Sequence, residues 1–328
     1  MNPRALLKRF SIVAACCVPP LADGALADAN YPERTIKILV GFPAGGAPDT
    51  TARLLGEKLQ AAWGKPVVIE NVPGAGGNIA ADRVAKSAPD GYTLLLAGNA
   101  SIVVNLNLYE KLAYDPLKDL VPISQISMTP NILAVHPDVP AKSVADLVTL
   151  ARAQPGALTY GHGGIGISQH LAAELFKHMG GLAIQPVGYR GAQGVIPDLL
   201  AGRVNLCFCN IVNVLPLANE GKLRPLAVTS LKRSPTASEL PTMHESGFPG
   251  FDATAWFGLM APTGTPAAIV DKLHREAVKA LAASDVRNKF DAMGMVAIGN
   301  TPAEFATVIK TELSYWEKVI KAIGLKLN

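Results

Sequence analysis

Charge is scarce in this chain. Only 17% of its 328 residues are Asp, Glu, Lys or Arg, aromatic residues make up 6%, and the formal net charge is +4. No run of lysine and arginine occurs and no basic stripe is interleaved with aromatics, so the electrostatic footprint of a nucleic-acid-binding protein is missing. Beyond the N-terminus no long apolar stretch exists, which excludes a permanent helical membrane span from the remainder. Low-complexity segments are also lacking. What is present is apolar content of 49%, with 30 glycines and 25 prolines. That suits a sizeable core, many turns and two modest domains.

The N-terminus reads as a targeting segment. Arg4, Lys8 and Arg9 form a basic region, residues 10–21 a short apolar one, and Ala25-Leu26-Ala27 an A-x-A site. Cleavage is expected after Ala27, which lowers the formal charge to about +2. Val13-Ala14-Ala15-Cys16 is a loose lipobox that competes with this reading. Only Cys207 and Cys209 lie beyond that segment. Residues i and i+2 of a strand are roughly 6.5–7 Å apart, at or past the limit for a bridge, so we expect two buried free thiols.

Strand-like and helix-like segments alternate through most of the chain. Residues 36–40 (strand) lead to 50–63 (helix), 67–70 to a glycine loop and a helix, and 93–97 closes a first series. A second series runs from the helix at 143–154, capped by Ser143, to a strand at 225–229. The final long helix starts at Thr301 as cap with Pro302 at its first position. Such alternation predicts parallel sheets with helices on both faces. Two series joined near residues 128–135 and 249–260 predict two α/β lobes with two crossings. Ligands of such folds sit at the carboxyl ends of the strands, where three glycine-rich loops fall: 41–49, 73–78 and 161–168. In the first, Gly45 and Gly46 leave bare amides at a helix N-terminus, a place that attracts anions. The spacing also suits a plain β–α turn with Asp49 as N-cap.

Several motifs carry less than they suggest. Gly161-His162-Gly163-Gly164-Ile165-Gly166 matches G-x-G-x-x-G between a strand and a helix, but the next strand ends without the acidic residue that would hold a ribose. A dinucleotide-binding oxidoreductase therefore stays a secondary reading. No nucleophile elbow occurs, since Gly164 to Ser168 is not G-x-S-x-G. His170, Glu174 and His178 share a helix face, yet read as ordinary polar positions rather than a metal site. Arg190 is free to grip a carboxylate or to pair with Asp198. Trp256 and Phe257 read as hinge packing.

The chain resembles a known family through a series of short motifs. These include Ile38-Leu39-Val40-Gly41-Phe42-Pro43-Ala44-Gly45-Gly46 with Asp49, Glu70-Asn71 with Pro73-Gly74-Ala75-Gly76-Gly77-Asn78, and Pro89-Asp90-Gly91-Tyr92-Thr93. Tyr189-Arg190-Gly191, Asp198-Leu199-Leu200-Ala201-Gly202 and Ala261-Pro262-Thr263-Gly264-Thr265-Pro266 continue it. Together they resemble the Bug (TctC-like) receptors of tripartite tricarboxylate transporters over essentially the whole chain past the targeting segment.

The resemblance implies the α/β type II periplasmic-binding-protein fold, with a signal peptide at 1–27, a first lobe at 28–129 and 255–328, and a second at 130–254. It implies a monomeric periplasmic binding protein, without enzymatic activity or cofactor, that closes on a small organic carboxylate. Its partners would be the membrane subunits of a tripartite transporter; a sensor feeding a two-component system is the alternative. The matching ligand residues are Phe42, Ala44, Gly45, Gly46 and Asp49, then Gly74, Ala75 and Gly76, then Ser101, and His162, Gly164, Ser168, Tyr189 and Asp198 in the second lobe. A carboxylate at position 49 would repel an anion, so we expect Asp49 to cap the helix and hold the loop. The chain departs from the family at His162 and Ile167, where hydroxyl residues are usual, at Gly188, usually Pro, and at Asn205, usually Asp. These changes point to a less polar or aromatic carboxylate, and His162 to pH-dependent binding near neutrality.

Overall fold

Strand β1 (Ile36–Val40) buries Ile36, Ile38, Leu39 and Val40 almost completely. At roughly 1.5–3 kcal/mol per buried aliphatic side chain, that pattern requires a central strand covered on both faces. In the computed structural model, which describes residues 30–327, β1 lies between β2 (Val67–Asn71) and β3 (Thr93–Gly98), parallel to both. The targeting segment, the cleavage site after Ala27 and Cys16 lie outside the described residues. Residues 32–327 form one compact unit.

The first sheet is completed by β4 (Leu120–Thr129), β10 (Ala255–Pro262) and the two-residue β11 (Val296–Ala297), in the order β11-β4-β10-β3-β1-β2. The second sheet holds β5 (Asn131–Val135), β6 (Thr159–His162), β7 (Gln185–Gly188), β8 (Leu206–Asn210) and β9 (Arg224–Val228), ordered β7-β6-β8-β5-β9. The chain passes from one sheet to the other between β4 and β5, across Pro130, and returns between β9 and β10. The chain thus forms two α/β lobes joined by two crossings.

The sheets are mixed, not parallel as the alternation suggested. β10 runs antiparallel to β3 and β4, and β5 antiparallel to β8 and β9. A helix crossover returns the chain to the same end of a sheet and makes parallel neighbours. β5 and β10 arrive instead from the other sheet, at the opposite end, and run against their neighbours.

Each β–α unit places a helix after a strand's carboxyl end. α1 (Ala47–Trp63) follows β1, α2 (Asn78–Ala85) follows β2 and α3 (Asn105–Leu108) follows β3. In the second lobe α4 (Val144–Ala153) precedes β6, α5 (Ser168–Gly180) follows it, α6 (Val195–Leu200) follows β7 and α7 (Ile211–Asn219) follows β8. α8 (Ala267–Ala282), α9 (Ser284–Ala292) and α10 (Pro302–Ile323) end the chain. Ser143 caps α4, and Thr301 with Glu304 forms a full capping box on α10 behind Pro302, as expected. α1 starts three residues earlier than its apolar pattern suggested, because Pro48 fits a first turn whose amides lack partners anyway.

The two cysteines are a correction. Cys207 and Cys209 are joined as a disulfide on β8, with Cα atoms 5.5 Å apart. The strand is shortened there relative to an ideal extended repeat, which brings i and i+2 inside the bridging range.

Candidate functional site

The loops after β1, β2, β6 and β7 meet between the lobes and enclose two connected chambers. The inner one takes up about 540 Å³ of space, its open mouth included. Its walls come from both sheets: Phe42, Gly46, Ala47, Pro48, Asn99, Ala100, Ala255 and Phe257 from the first lobe, and Ile167, Ser168, Gln169, Gln193 and Asn210 from the second. Gly74, Ala75, Gly76, Tyr109, Gly164, Tyr189 and Arg190 line the outer chamber. Phe42, Pro43, Gly163, Ile167 and Gly191 border both and form the neck.

Among the described residues no charged side chain lines the inner chamber. The groups there that favour an anion are backbone, at two helix N-termini. The N-terminus of α1, seventeen residues long, faces it through Gly46 and Ala47. The N-terminus of α5, thirteen residues long, faces it through Ile167, Ser168 and Gln169. Neither helix has a side-chain cap, so its first-turn amides, which Pro48 of α1 lacks, make no cap bond, the condition in which a helix N-terminus attracts an anion.

Asp49 braces the first loop without touching either chamber. Gly46, not Asp49, occupies the cap position of α1, because the helix begins at Ala47. From the first turn the Asp49 carboxylate accepts hydrogen bonds from the Gly45 amide, Arg53 Nε and Asn71 Nδ2, each at 2.9 Å. Burial alone would push its carboxyl up, but the bonds from Arg53, Gly45 and Asn71 outweigh it and hold it below the usual carboxylate range. Asn71 also donates to Phe42 O at 3.1 Å, tying the loop to β2.

The second glycine loop carries left-handed backbone at Ala75, Gly76 and Gly77. Ala75, φ 47°, is the one non-glycine residue with positive φ among the described residues. An L-residue there costs about 1 kcal/mol, a strain typical of functional loops. Ser101 is buried behind this loop and donates to Gly98 O at 3.1 Å, facing neither chamber. Ala44 and Gly45 likewise stand outside both linings.

In the second lobe His162 lies within β6 and is buried. Its Nδ1 accepts the Gly164 amide at 3.3 Å, and His170 Nδ1 accepts the Gly166 amide at 3.4 Å. The two rings lie 4.6 Å apart. Both imidazoles thus hold the loop over the cleft from behind, with their protons on Nε2. Asp198 accepts from the Tyr189 hydroxyl at 2.7 Å and pairs with Arg203 at 2.8 Å, which corrects the alternative pairing with Arg190. Arg190 is exposed at the outer chamber. Among the described residues no cluster of His, Cys, Asp or Glu could hold a metal ion.

Asn99, Gln169, Gln193 and Asn210 were not singled out from sequence, and Phe257 was read only as packing. Asn99 and Asn210 directly follow or end strands β3 and β8, so the rule that ligands sit at strand carboxyl ends would have found them. Phe257 packs edge-on against Phe42, with ring centroids 6.3 Å apart.

The family described as "TctC: Tripartite tricarboxylate transporter family receptor" matches residues 51–325. The chain belongs to this family. "Protein BugT" of Bordetella pertussis strain Tohama I is 38% identical to the receptor over 325 residues, covering 99% of this chain and 98% of that protein. The structure "R. palustris Rpa4515 with adipate" superposes with a TM-score of 0.86 at 38% identity, covering 90% of this chain and 99% of the other. "MatC (Rpa3494) from Rhodopseudomonas palustris with bound malate" does so with a TM-score of 0.83 at 33% identity, covering 88% and 100%. Among the receptor's described residues no helix is long and apolar enough to cross a membrane.

Two measurements follow from the site. Asp49→Ala in the receptor releases the Gly45 amide, Arg53 and Asn71 together, and three lost charge-assisted bonds loosen the loop. Ligand affinity is expected to fall by about tenfold with the fold intact. Tighter carboxylate binding by the variant, read by calorimetry, would show that Asp49 acts by repulsion instead.

The second measurement concerns pH. Burial pushes His162 below the ordinary histidine range; burial, aided by the nearby His162 charge, takes His170 to about 4. Glu174, itself bonded to Tyr160 and Lys177, faces the pair and opposes this, while Lys177 adds to it on His170. Both rings are therefore neutral at pH 7, and the dependence expected near neutrality moves to acid. Between about pH 6.5 and 4 the unfolded chain binds more protons than the folded one, so stability falls as pH drops through that window. The melting temperature should be flat from pH 7 to 8 and decline below 6.5, less steeply in His170→Asn. Equal slopes for the two proteins would rule the pair out as the cause.

Proposed function

We propose that the receptor is an extracytoplasmic solute-binding protein, not an enzyme, that captures a small carboxylate in the inner chamber and delivers it to a tripartite tricarboxylate-type transporter. One observation carries the ligand class: two helix N-termini, one from each lobe, converge on a chamber with no charged side chain. A carboxylate held there by bare amides needs no buried counter-ion and avoids the desolvation of one. Relatives whose structures hold adipate and malate support the reading. Arg190 at the outer chamber supplies the positive charge that draws an anion to the mouth.

The walls favour an apolar or aromatic body over a citrate-like one. Phe42, Phe257, Ile167, Ala100 and Ala255 offer contact area to an apolar body, and the polar residues on the same walls, Asn99, Gln193 and Asn210, bring no positive charge for additional carboxylates. Thermal shift at pH 7.5 tests this with citrate, adipate, benzoate and phenylpropionate. An acid supplied at about 100 times its Kd adds roughly 2.7 kcal/mol, which raises the melting temperature by about 5 °C or more. Phenylpropionate or benzoate should do so and citrate should not. Stabilisation by citrate with none from the aromatic acids would overturn the preference.

A further inference from the structure

The inner chamber has a second polar end, and its chemistry is set by a chain of amides at the hinge. Asn131, the first residue of β5 after the crossing, donates its Nδ2 to Ala253 O at 3.1 Å, on the returning crossing. A backbone carbonyl only accepts, so this bond fixes the orientation of the Asn131 amide. Its Oδ1 must then be the end that meets Asn210, and Asn210 donates Nδ2 to it at 2.8 Å. Asn99 is fixed in the same manner: its Nδ2 donates to Thr254 O at 3.2 Å. Both residues line the inner chamber, and each engages one N–H of its amide at the hinge, which fixes the orientation of the amide.

The oxygens have no such use. Asn99 and Asn210 each sit at the start of a helical segment, where an asparagine ordinarily accepts a first-turn amide through its side-chain oxygen. Neither does so here. Asn99 is 3% exposed and Asn210 8%. Two largely buried amide oxygens that cap nothing are therefore left at the chamber's hinge wall.

Building on the carboxylate reading above, we propose that Asn99 and Asn210 are specificity residues that read a hydrogen-bond donor on the ligand, a hydroxyl or a carboxamide N–H, at the end remote from its carboxylate. The chamber is polarised. The helix N-termini and Gln169 Nε2, whose Oε1 already accepts the Gly163 amide at 3.1 Å, present donors to the carboxylate. The hinge wall presents acceptors. A second carboxylate there would be set against two amide oxygens, and an apolar end would leave both oxygens unsatisfied. The same contact joins the ligand to both crossings through Asn131 and Ala253, so a ligand donor is felt at the hinge.

Four acids of one chain length test this: hexanoate, 6-hydroxyhexanoate, adipate monoamide and adipate, each titrated calorimetrically into the receptor. The hydroxyl and amide acids should bind about tenfold more tightly than hexanoate and than adipate. Asn99→Ala should abolish that preference, so that the hydroxyl and amide acids bind no more tightly than hexanoate. Asn210→Ser, which keeps a small polar group beside Asn131, should reduce the preference in the same direction. Adipate equal to or tighter than its monoamide overturns the inference and leaves the carboxylate reading standing. Binding of none of the four overturns the carboxylate reading and this inference with it.

Discussion

Gly41→Ala should cost the receptor about 100-fold in ligand affinity, some 2.7 kcal/mol. The position looks innocuous, since Gly41 is not among the residues whose φ is positive. Space is the constraint. A Cβ there would lie 2.6 Å from Gly77 Cα and 3.1 Å from Gly77 O, and both are backbone atoms. A flexible side chain could swing away; the backbone of the second glycine loop cannot. The loop after β1 would be pushed off the loop after β2, moving Gly46 relative to the α5 N-terminus that faces the same chamber. Overpacking of this kind also costs about 1–3 kcal/mol of stability. Urea melts and calorimetry should therefore both register the change. Gly45→Ala is the control: its φ of 85° strains the backbone, but nothing lies within 4 Å of the added methyl. If Gly41→Ala binds within threefold of the unmodified receptor, the contact between the two loops does not shape the site.

Much of this arrangement could be read in the sequence because it is local. The step from β1 through a glycine loop to α1 follows from periodicity and loop composition, as do the caps at Ser143 and Thr301. What escaped reading depends on chain segments far apart. β5 and β10 run antiparallel because they arrive from another sheet, and no short-range pattern states that. Asn99 and Asn210 stand at strand ends, a position that is local, but the orientation of their amides depends on Thr254 and Asn131, over separations as long as 155 residues. Asp49 was assigned the right task in the wrong position: holding the loop needs its three partners, not the cap site. Cys207 and Cys209 were misjudged because an ideal strand repeat was applied to a strand that is locally shortened.

Gly166→Ala should keep the cleft from closing. Gly166 follows β6 in the second lobe, and its φ of 80° already disfavours a side chain by about 1–2 kcal/mol. That strain is present whether the lobes are together or apart, so it affects stability more than affinity. The contact is different. A Cβ at Gly166 would lie 2.7 Å from Asn105 Oδ1 and 2.8 Å from Leu108 Cδ1, on α3 of the first lobe. Leu108 can adjust its tip. Asn105 is held, because its Nδ2 donates to Asn78 Oδ1 at 2.6 Å, and Asn78 in turn accepts the Tyr114 hydroxyl at 3.0 Å. The added methyl therefore opposes only the closed arrangement, and the energy it costs is subtracted from ligand binding. Affinity should fall by about 30-fold, roughly 2 kcal/mol, and small-angle scattering with saturating ligand should report a larger radius of gyration than for the unmodified receptor. Gly164→Ala separates strain from closure: Gly164 lies on the same loop with φ 147°, and nothing stands within 4 Å of its added methyl. Removing the obstruction should also restore binding, so Asn105→Ala combined with Gly166→Ala should recover part of the loss, a coupling that independent sites do not show. Equal losses for the two glycine variants, with no recovery in the double variant, would mean that backbone strain and not closure governs affinity at this loop.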